Sequence, residues 1–374
     1  MTALEQRLRR RISREGPLTF ADYMAAALYD PTDGYYAAGR PRTGWRGDFV
    51  TSPELHPLFG ELWARFFDRV WHASGRPERF EIVEVGPGEG SFARSVLSHL
   101  PPDLAAATTL RLIEPFEGPR RRQQERLEGT GRVVWSTSME DPPSARSGCV
   151  FANEVLDNLP VHLVTMHDGE LKELWVTLGD GLELTSGEPS SPELAAHLSE
   201  VGATPAEGAV LEVGPELGRF VTNAARLHDR GAVVLLDYGR EASELARRSQ
   251  GTLAAYAPWG TDTEVLRQPG IRDITHHVDW TSVRMWLRRG GLEVAGPIPQ
   301  RDMLMRLGLR ELDAESRSLY SRATKRGDGR TAVRALARRT AAGALTDRGG
   351  LGALDVVVGL RDIPAPSVLG EGLG

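Results

Sequence analysis

Nine consecutive residues, Ile82-Val83-Glu84-Val85-Gly86-Pro87-Gly88-Glu89-Gly90, carry the chemistry that is easiest to read. Glycines directly after an apolar run let a backbone turn tightly and approach a ligand closely. Glu84 precedes the turn, and Glu114 ends the next apolar run, Leu110–Ile113. A carboxylate at that place can accept both hydroxyl protons of a ribose. Two adenosine cofactors suit the pattern. A dinucleotide asks for a further Gly or Ala five positions after the first, so that its pyrophosphate sits on a helix N-terminus. Here that position is Ser91, the third glycine falls at 90, and an acidic residue beside the turn repels phosphate. S-adenosylmethionine (SAM) carries a sulfonium cation and an amino-acid end instead, and Glu84 complements both. The residues favour SAM; a bare strand-to-helix turn is the plainer alternative. Glu84, Gly86, Gly88, Gly90 and Glu114 are therefore candidate cofactor contacts.

Two further segments could complete such a site. In Gly47-Asp48-Phe49-Val50-Thr51-Ser52-Pro53-Glu54, Ser52 before Pro53 predicts a capped helix start. Capping does not account for the polar cluster ahead of it, so Thr51 and Ser52 join the cofactor candidates and Glu54 the catalytic ones. In Ala152-Asn153-Glu154-Val155-Leu156-Asp157-Asn158-Leu159-Pro160, the strand expected over Cys149–Ala152 runs into Asn153, Glu154 and Asp157. Turn and cap roles would explain these residues if the segment stood alone. At the end of a strand, Asn153 is placed for the cofactor, and Glu154 and Asp157 for the reacting group. Trp135 and Met139 follow another expected strand, where an adenine ring could pack, although core packing is the simpler account of Trp135.

The elements that must position these residues alternate. Strands are expected at Phe80–Val85, Leu110–Ile113, Val133–Trp135 and Cys149–Ala152, with helices from Ser91 to about Leu100 and from Pro119 to about Leu127. That alternation predicts an α/β fold with a doubly wound, Rossmann-like parallel sheet, ligands binding at the carboxyl ends of its strands. Residues 1–75 read as an N-terminal helical segment. Residues 76–160 read as the first part of the sheet domain. Residues 161–230 form an insertion, with a hairpin turning at His167-Asp168-Gly169 followed by helical sequence. Residues 231–374 return to strands and helices, with Gly231–Asp237 a buried strand and about 302–344 an Arg-rich helical region.

In order along nearly the whole chain, the motifs resemble the MidA (DUF185) family of class I SAM-dependent methyltransferases, which includes the mitochondrial complex I assembly factor. The resemblance rests on Glu15-Gly16-Pro17-Leu18-Thr19, Asp22-Tyr23-Met24, Asp30-Pro31 with Gly34-Tyr35-Tyr36, Gly47–Glu54, Phe59-Gly60-Glu61 and the Glu84–Gly90 turn. It continues through Ala152-Asn153-Glu154 with Asp157, Leu159-Pro160-Val161-His162, Asp237-Tyr238-Gly239, Gly251-Thr252-Leu253, Pro269-Gly270, Asp273-Ile274-Thr275 and His277-Val278-Asp279. It implies a class I methyltransferase sheet, SAM as cofactor and arginine methylation of a protein partner. Two segments depart from the family pattern, Ala254-Ala255-Tyr256-Ala257-Pro258-Trp259 and Leu351-Gly352-Ala353-Leu354-Asp355. Both bear on the acceptor rather than the cofactor.

A guanidinium acceptor starts protonated, so it needs carboxylates to orient it and to receive the proton that leaves. Glu54, Glu61, Glu154, Asp157 and Glu212 are candidates, with Glu154 and Asp157 favoured by their place at the strand ends. For a small-molecule hydroxyl or carboxylate acceptor, His162 could be the base. A non-catalytic SAM-binding assembly factor and a nicotinamide oxidoreductase are the competing classes.

Composition narrows the field. The 374 residues hold 45 Lys plus Arg against 51 Asp plus Glu, a net charge of −6, which argues against nucleic-acid coating. The single Cys149 excludes an internal disulfide and a Cys-rich metal centre, and the pair His276-His277 does not have metal-site spacing. No apolar run approaches the roughly 18 residues of a membrane span. The Arg-rich start repeats Leu4, Leu8 and Ile12, which predicts an amphipathic helix in place of a signal or transit peptide, and a cytoplasmic location is expected.

Overall fold

The computed structural model describes residues 1–37, 51–257 and 260–370. Gly47–Val50, Pro258 and Trp259 lie outside them. The chain divides into two compact units, one of Pro41–Asn153, Ala224–Leu236 and Gly290–Gly374, the other of Met1–Arg40, Glu154–Asn223 and Asp237–Arg289.

The first unit is built on a seven-stranded sheet. Its strands are β1 (Phe80–Val85), β2 (Thr108–Ile113), β3 (Val133–Ser136), β4 (Ser147–Asn153), β5 (Arg230–Asp237), β6 (Glu293–Pro299) and β7 (Asp355–Arg361). Their order across the sheet is β3-β2-β1-β4-β5-β7-β6. The neighbours from β3 to β5 pair in parallel, and β6 and β7 close one edge as an antiparallel pair. The chain thus winds outward from β1 in one direction and from β4 in the other, as the alternating sequence predicts. The reversal between β1 and β4 is the place where such sheets bind ligands. Buried strands read as continuous apolar runs because helices cover both faces; every residue of β1 and β2 is buried.

One helix does much of that covering. Leu58–Ala73 turns Phe59, Trp63, Phe66 and Phe67 inward against Phe92 and Phe151. The rings of Phe92 and Phe151 stack with centroids 4.2 Å apart. Gly60 lets this helix lie against Ser91–His99, since a Cβ there would come within 2.5 Å of Ser95 Cβ. A helix does begin at Ser52, as the sequence suggested, but it is not continuous with the long one, whose start Pro57 left open. A short helix, Ser52–Leu55, comes first, capped at Thr51 without a side-chain bond, and His56-Pro57 separates the two. Helices Leu309–Lys325 and Gly329–Leu345 form an antiparallel pair in the Arg-rich region.

The second unit holds a five-stranded sheet whose path runs Leu18–Thr19, Glu170–Leu178, His162–His167 and Val210–Val213, with Leu182–Gly187 also on Glu170–Leu178. The hairpin at His167-Asp168-Gly169 is its centre. Helices Ala3–Glu15 and Phe20–Tyr29, each capped by a threonine (Thr2 and Thr19), bury Leu4, Leu8, Ile12, Phe20 and Tyr23 in this unit's core. No helix among the described residues is long and apolar enough to cross a membrane.

Near the start of β1, Glu81 is fully buried and fully partnered. Arg111 Nη2 lies 3.1 Å from Oε2, His228 Nε2 3.0 Å from the same oxygen, and Ser144 donates its N–H and hydroxyl to Oε1 at 2.9 and 2.6 Å. Burial works against the charge, but His228, Ser144 and Arg111 outweigh it and hold the carboxyl below its ordinary value. A depressed carboxylate contributes stability above its unfolded value, and that contribution is lost as pH falls through the folded one. Arg111→Met should therefore cost about 3–5 kcal/mol in urea unfolding at neutral pH and less below pH ~4. SAM affinity, measured by calorimetry, should stay unchanged.

Candidate functional site

In the first unit, Gly86, Gly88 and Gly90 have φ of 64°, 51° and 77°. All three lie in the left-handed region, where a side chain is strained, so the turn after β1 needs glycine at each. Gly90 N–H closes the turn onto Pro87 O at 2.8 Å and heads the Ser91–His99 helix. Beside it, Asn153 ends β4, one residue beyond the Val85–Ala152 pairing of the two strands.

Glu84 is buried, and its Oε2 has no hydrogen-bond partner. Burial, with the nearby charge of Glu54, pushes its carboxyl well above the ordinary range. Glu114 accepts from Phe116 N–H at 2.9 Å and from Gln123 Nε2 at 3.0 Å, one bond on each oxygen. A carboxylate has about four acceptor positions, so two remain for a diol. Burial raises Glu114 as well, opposed by those two donors. Gln123 is fully buried and fastens the site together. It also donates to Gly88 O at 2.9 Å and accepts from Trp135 Nε1 at 3.0 Å. Trp135 thus packs against the core and holds Gln123. Nothing in the sequence singles out Gln123, one of two adjacent amides in a charged helix. Glu89 is occupied by Arg122, whose Nε and Nη2 lie 3.0–3.2 Å from its oxygens.

The outlying candidates fall as follows. Glu54 sits in this unit with Glu84, Ser91 and Arg126 around it, and burial raises its carboxyl. Thr51 is buried at the start of the short helix. Ser52 does not cap; its hydroxyl donates to Gln300 Oε1 at 3.1 Å, and Gln300 in turn holds Leu345 O and Leu351 O. Met139 lies half-buried in a turn after β3. Glu61 is engaged by Arg338 at 2.7 and 2.8 Å, which makes it structural.

In the second unit, Glu154 adopts φ of 53° and opens a turn that continues as the short helix Leu156–Asn158. Three successive amides of that turn point at one oxygen. Val155, Leu156 and Asp157 N–H donate to Asp237 Oδ2 at 3.2, 2.9 and 3.1 Å, while Tyr238 N–H donates to Oδ1 at 2.8 Å. Asn158 donates to Asp273 Oδ1 at 3.0 Å and to Ile274 O at 3.1 Å. Tyr36 Oη lies 2.9 Å from Asn158 Oδ1 and 3.0 Å from both Asp273 oxygens, to one of which it donates. Tyr29 donates to Asn158 O at 3.1 Å and stacks on Tyr36. Burial first, then Asp273, keeps Tyr36 a neutral phenol.

Asp157 is buried with Oδ1 unpartnered. Burial pushes its carboxyl well up, and the charges of Asp237, Asp273 and Glu154 add to this. Glu212 and His162, also candidates by sequence, are engaged by neighbouring groups. Glu212 Oε1 receives Thr252 N–H at 2.6 Å and Leu253 N–H at 3.2 Å, while its buried Oε2 has no hydrogen-bond partner, and His162 Nδ1 lies 2.7 Å from Glu173 Oε1. His276 Nδ1 and Nε2 lie 3.0 and 3.1 Å from His277 O and Leu159 O, and the neutral ring donates to one of the two.

Buried carboxylates lacking donors suit a ligand that brings positive charge and hydroxyls, and Glu84 beside the glycine turn fits SAM in that respect. Comparison with known proteins agrees. The chain is 28% identical over 344 residues to the mitochondrial protein arginine methyltransferase NDUFAF7 of Rattus norvegicus, covering 83% of this chain and 75% of that protein. The Drosophila melanogaster homolog is 30% identical over 338 residues, with 82% and 75% covered. A crystal structure of a COG1565 superfamily member from Burkholderia thailandensis, bound to S-adenosyl-homocysteine, superposes with a TM-score of 0.84 at 29% identity, covering 100% of this chain and 95% of that one. A native crystal structure of a COG1565 protein from the same organism gives 0.83 at 28% identity, again with 100% and 95% covered. The S-adenosyl-L-methionine-dependent methyltransferase family matches residues 62–298, and the chain belongs to that family as a SAM-dependent enzyme.

Proposed function

We propose that this methyltransferase acts on arginine side chains of a protein partner. The observation that carries the proposal is Asp157, a buried acid with an unpartnered oxygen, set among Glu154, Asp237, Asp273 and the phenols of Tyr29, Tyr36, Tyr238 and Tyr256. Carboxylates and aromatic faces together are what a planar cation prefers. The relatives named above as protein arginine methyltransferases support the same acceptor.

On this reading Glu84, Gly86, Gly88, Gly90, Glu114 and Asn153 hold SAM, with Thr51, Ser52, Glu54 and Met139 around them. Glu84 pairs with its positive end and Glu114 with its ribose. When bound, SAM supplies a methyl group on a positively charged sulfur; overall, an arginine cation becomes a methylated arginine cation, with a neutral thioether and one proton as the other products. The protein's part is to align the nitrogen, to exclude water and to take that proton. Glu154 and Asp157 receive it. Ser52 acts through its anchor to Gln300, which steadies the short helix. A small-molecule hydroxyl acceptor is less well supported, because His162 is held by Glu173.

Two outcomes are expected. Glu84→Gln should weaken SAM binding tenfold or more in calorimetry, about 1.4 kcal/mol per decade. The same change should raise the melting temperature of the ligand-free protein at neutral pH, because a raised carboxyl withdraws stability as pH climbs through its folded value. In the wild type, SAM affinity should fall as pH drops through the raised range of Glu84 and Glu114, above the ordinary carboxylate value of about 4.3. For the acceptor, tritium from methyl-labelled SAM should enter lysate proteins and be recovered as methylarginine after hydrolysis. Glu154→Gln should cut incorporation by two decades or more. Label confined to small molecules would overturn the arginine assignment.

A further inference from the structure

Asp237 ends β5 and opens the Asp237-Tyr238-Gly239 motif, but the sequence alone assigns it no role. Its carboxylate fills a nest of successive amides. One oxygen takes Val155, Leu156 and Asp157 N–H, and the other takes Tyr238 N–H. Such a nest is an anion site in its own right, and here the anion is a side chain 80–82 residues further along the chain. We infer that Asp237 is a positioning residue for methyl transfer: it fixes the Glu154–Asp157 turn and leaves the one shared proton of the buried acid pair on Asp157. The inference rests on the assignment of Asp157 to the acceptor site.

The geometry gives two reasons. First, Glu154 is held at a φ that costs a non-glycine residue of order 1–3 kcal/mol. The three amides that follow it must be tied down for that conformation to persist, and Asp237 ties all three. Second, an oxygen that accepts three N–H bonds has no room for a proton, and the other oxygen accepts a fourth. Asp157 Oδ1 accepts none. Burial lifts both carboxyls, that of Asp237 to about 8; the amides of Tyr238, Asp157 and Leu156 oppose the rise at Asp237, and a single amide, its own, opposes it at Asp157. The groups facing Asp157 are the carboxylates of Asp237, Asp273 and Glu154 and the phenols of Tyr29, Tyr36, Tyr238 and Tyr256. His276 donates its backbone N–H to Asp157 O at 3.0 Å, and burial keeps its ring neutral. Two acids driven apart in this way take opposite roles: Asp237, held by four amides, is the one that ionises first, and Asp157 is the group that exchanges its proton when a cation arrives.

Infrared spectroscopy of the intact protein tests this at neutral pH. The wild type should show protonated-carboxyl absorption from Glu84 and from Asp157. The Asp157 band is the part lost on Asp157→Asn, a substitution isosteric with the neutral acid, in the wild-type-minus-variant difference spectrum. In Asp237→Asn the same band should vanish as Asp157 ionises, and the amides of Val155, Leu156 and Asp157 should exchange hydrogen at least tenfold faster. Calorimetric SAM affinity should stay within twofold of wild type, which shows that the fold survives. A protonated-carboxyl region unchanged between wild type and Asp157→Asn would overturn the inference even if Asp237→Asn cannot be produced. Unchanged exchange in a folded Asp237→Asn would overturn it as well. Adding methylguanidinium to the wild type should abolish the band. If the cation leaves the band untouched while Asp237→Asn behaves as stated, the positioning role is supported and the acceptor assignment is the part that fails.

Discussion

Whether a buried carboxylate is satisfied from within the protein decides what it can do, and most of this molecule's chemistry follows from that balance. Glu81 and Glu84 lie three residues apart on one strand, and both are buried. Glu81 has Arg111, His228 and Ser144 and is held below its ordinary value; Glu84 has an oxygen with no donor and is pushed above its own. The first locks the sheet. The second leaves part of its interaction for a ligand. The difference comes from position. Glu81 is near the strand's start, where neighbouring elements supply donors. Glu84 precedes a glycine turn with two side chains, Pro87 and Glu89, neither of which is a donor to it.

The fold was legible where period and breakers were strong. β1, β2 and the Gly86–Gly90 turn stand out because the strands are mostly apolar and three closely spaced glycines, which take positive φ without strain, follow the first of them. The hairpin at His167–Gly169 was visible for similar reasons. The order β3-β2-β1-β4-β5-β7-β6 was not, since pairing between distant strands leaves no local mark. Ser52 shows how a local rule fails: a serine before proline looks like a cap, yet its hydroxyl serves Gln300, 248 residues away.

The candidate site was legible in its acids and illegible in what holds them. Glu84, Glu114, Glu154 and Asp157 lie at ends of apolar runs, so their type and place were enough to select them. Gln123, Asn158, Tyr36 and Asp273 act by bonds that span from nine to 237 residues. A glutamine in a charged helix or a tyrosine in a loop has no pattern that reveals such a bond. Asp237 was visible as a strand end and as part of a family motif, and its four amide partners could be known only from the folded chain. Sequence therefore identifies groups whose charge matters directly, and structure identifies groups that matter by fixing another's charge.

That asymmetry has an energetic side. A carboxylic acid without donors in a dry place costs stability when it is charged, on the order of 1–3 kcal/mol for an unsatisfied group. The protein can lower that cost by keeping the group protonated, but a protonated acid attracts a cation weakly. An arrangement in which binding itself drives ionisation escapes the conflict: the empty site is neutral and tolerable, and the filled site is charged and paired. Glu84 opposite a sulfonium and Asp157 opposite a guanidinium would each work this way, and each would give up a proton as its cation enters. Asp237 differs because four backbone N–H groups, and not a ligand, compensate its charge. A charge held in that way raises the proton affinity of a neighbouring acid until a cation offsets it, so on the inference above the amide nest acts on the acid beside it as well as on the shape of the turn.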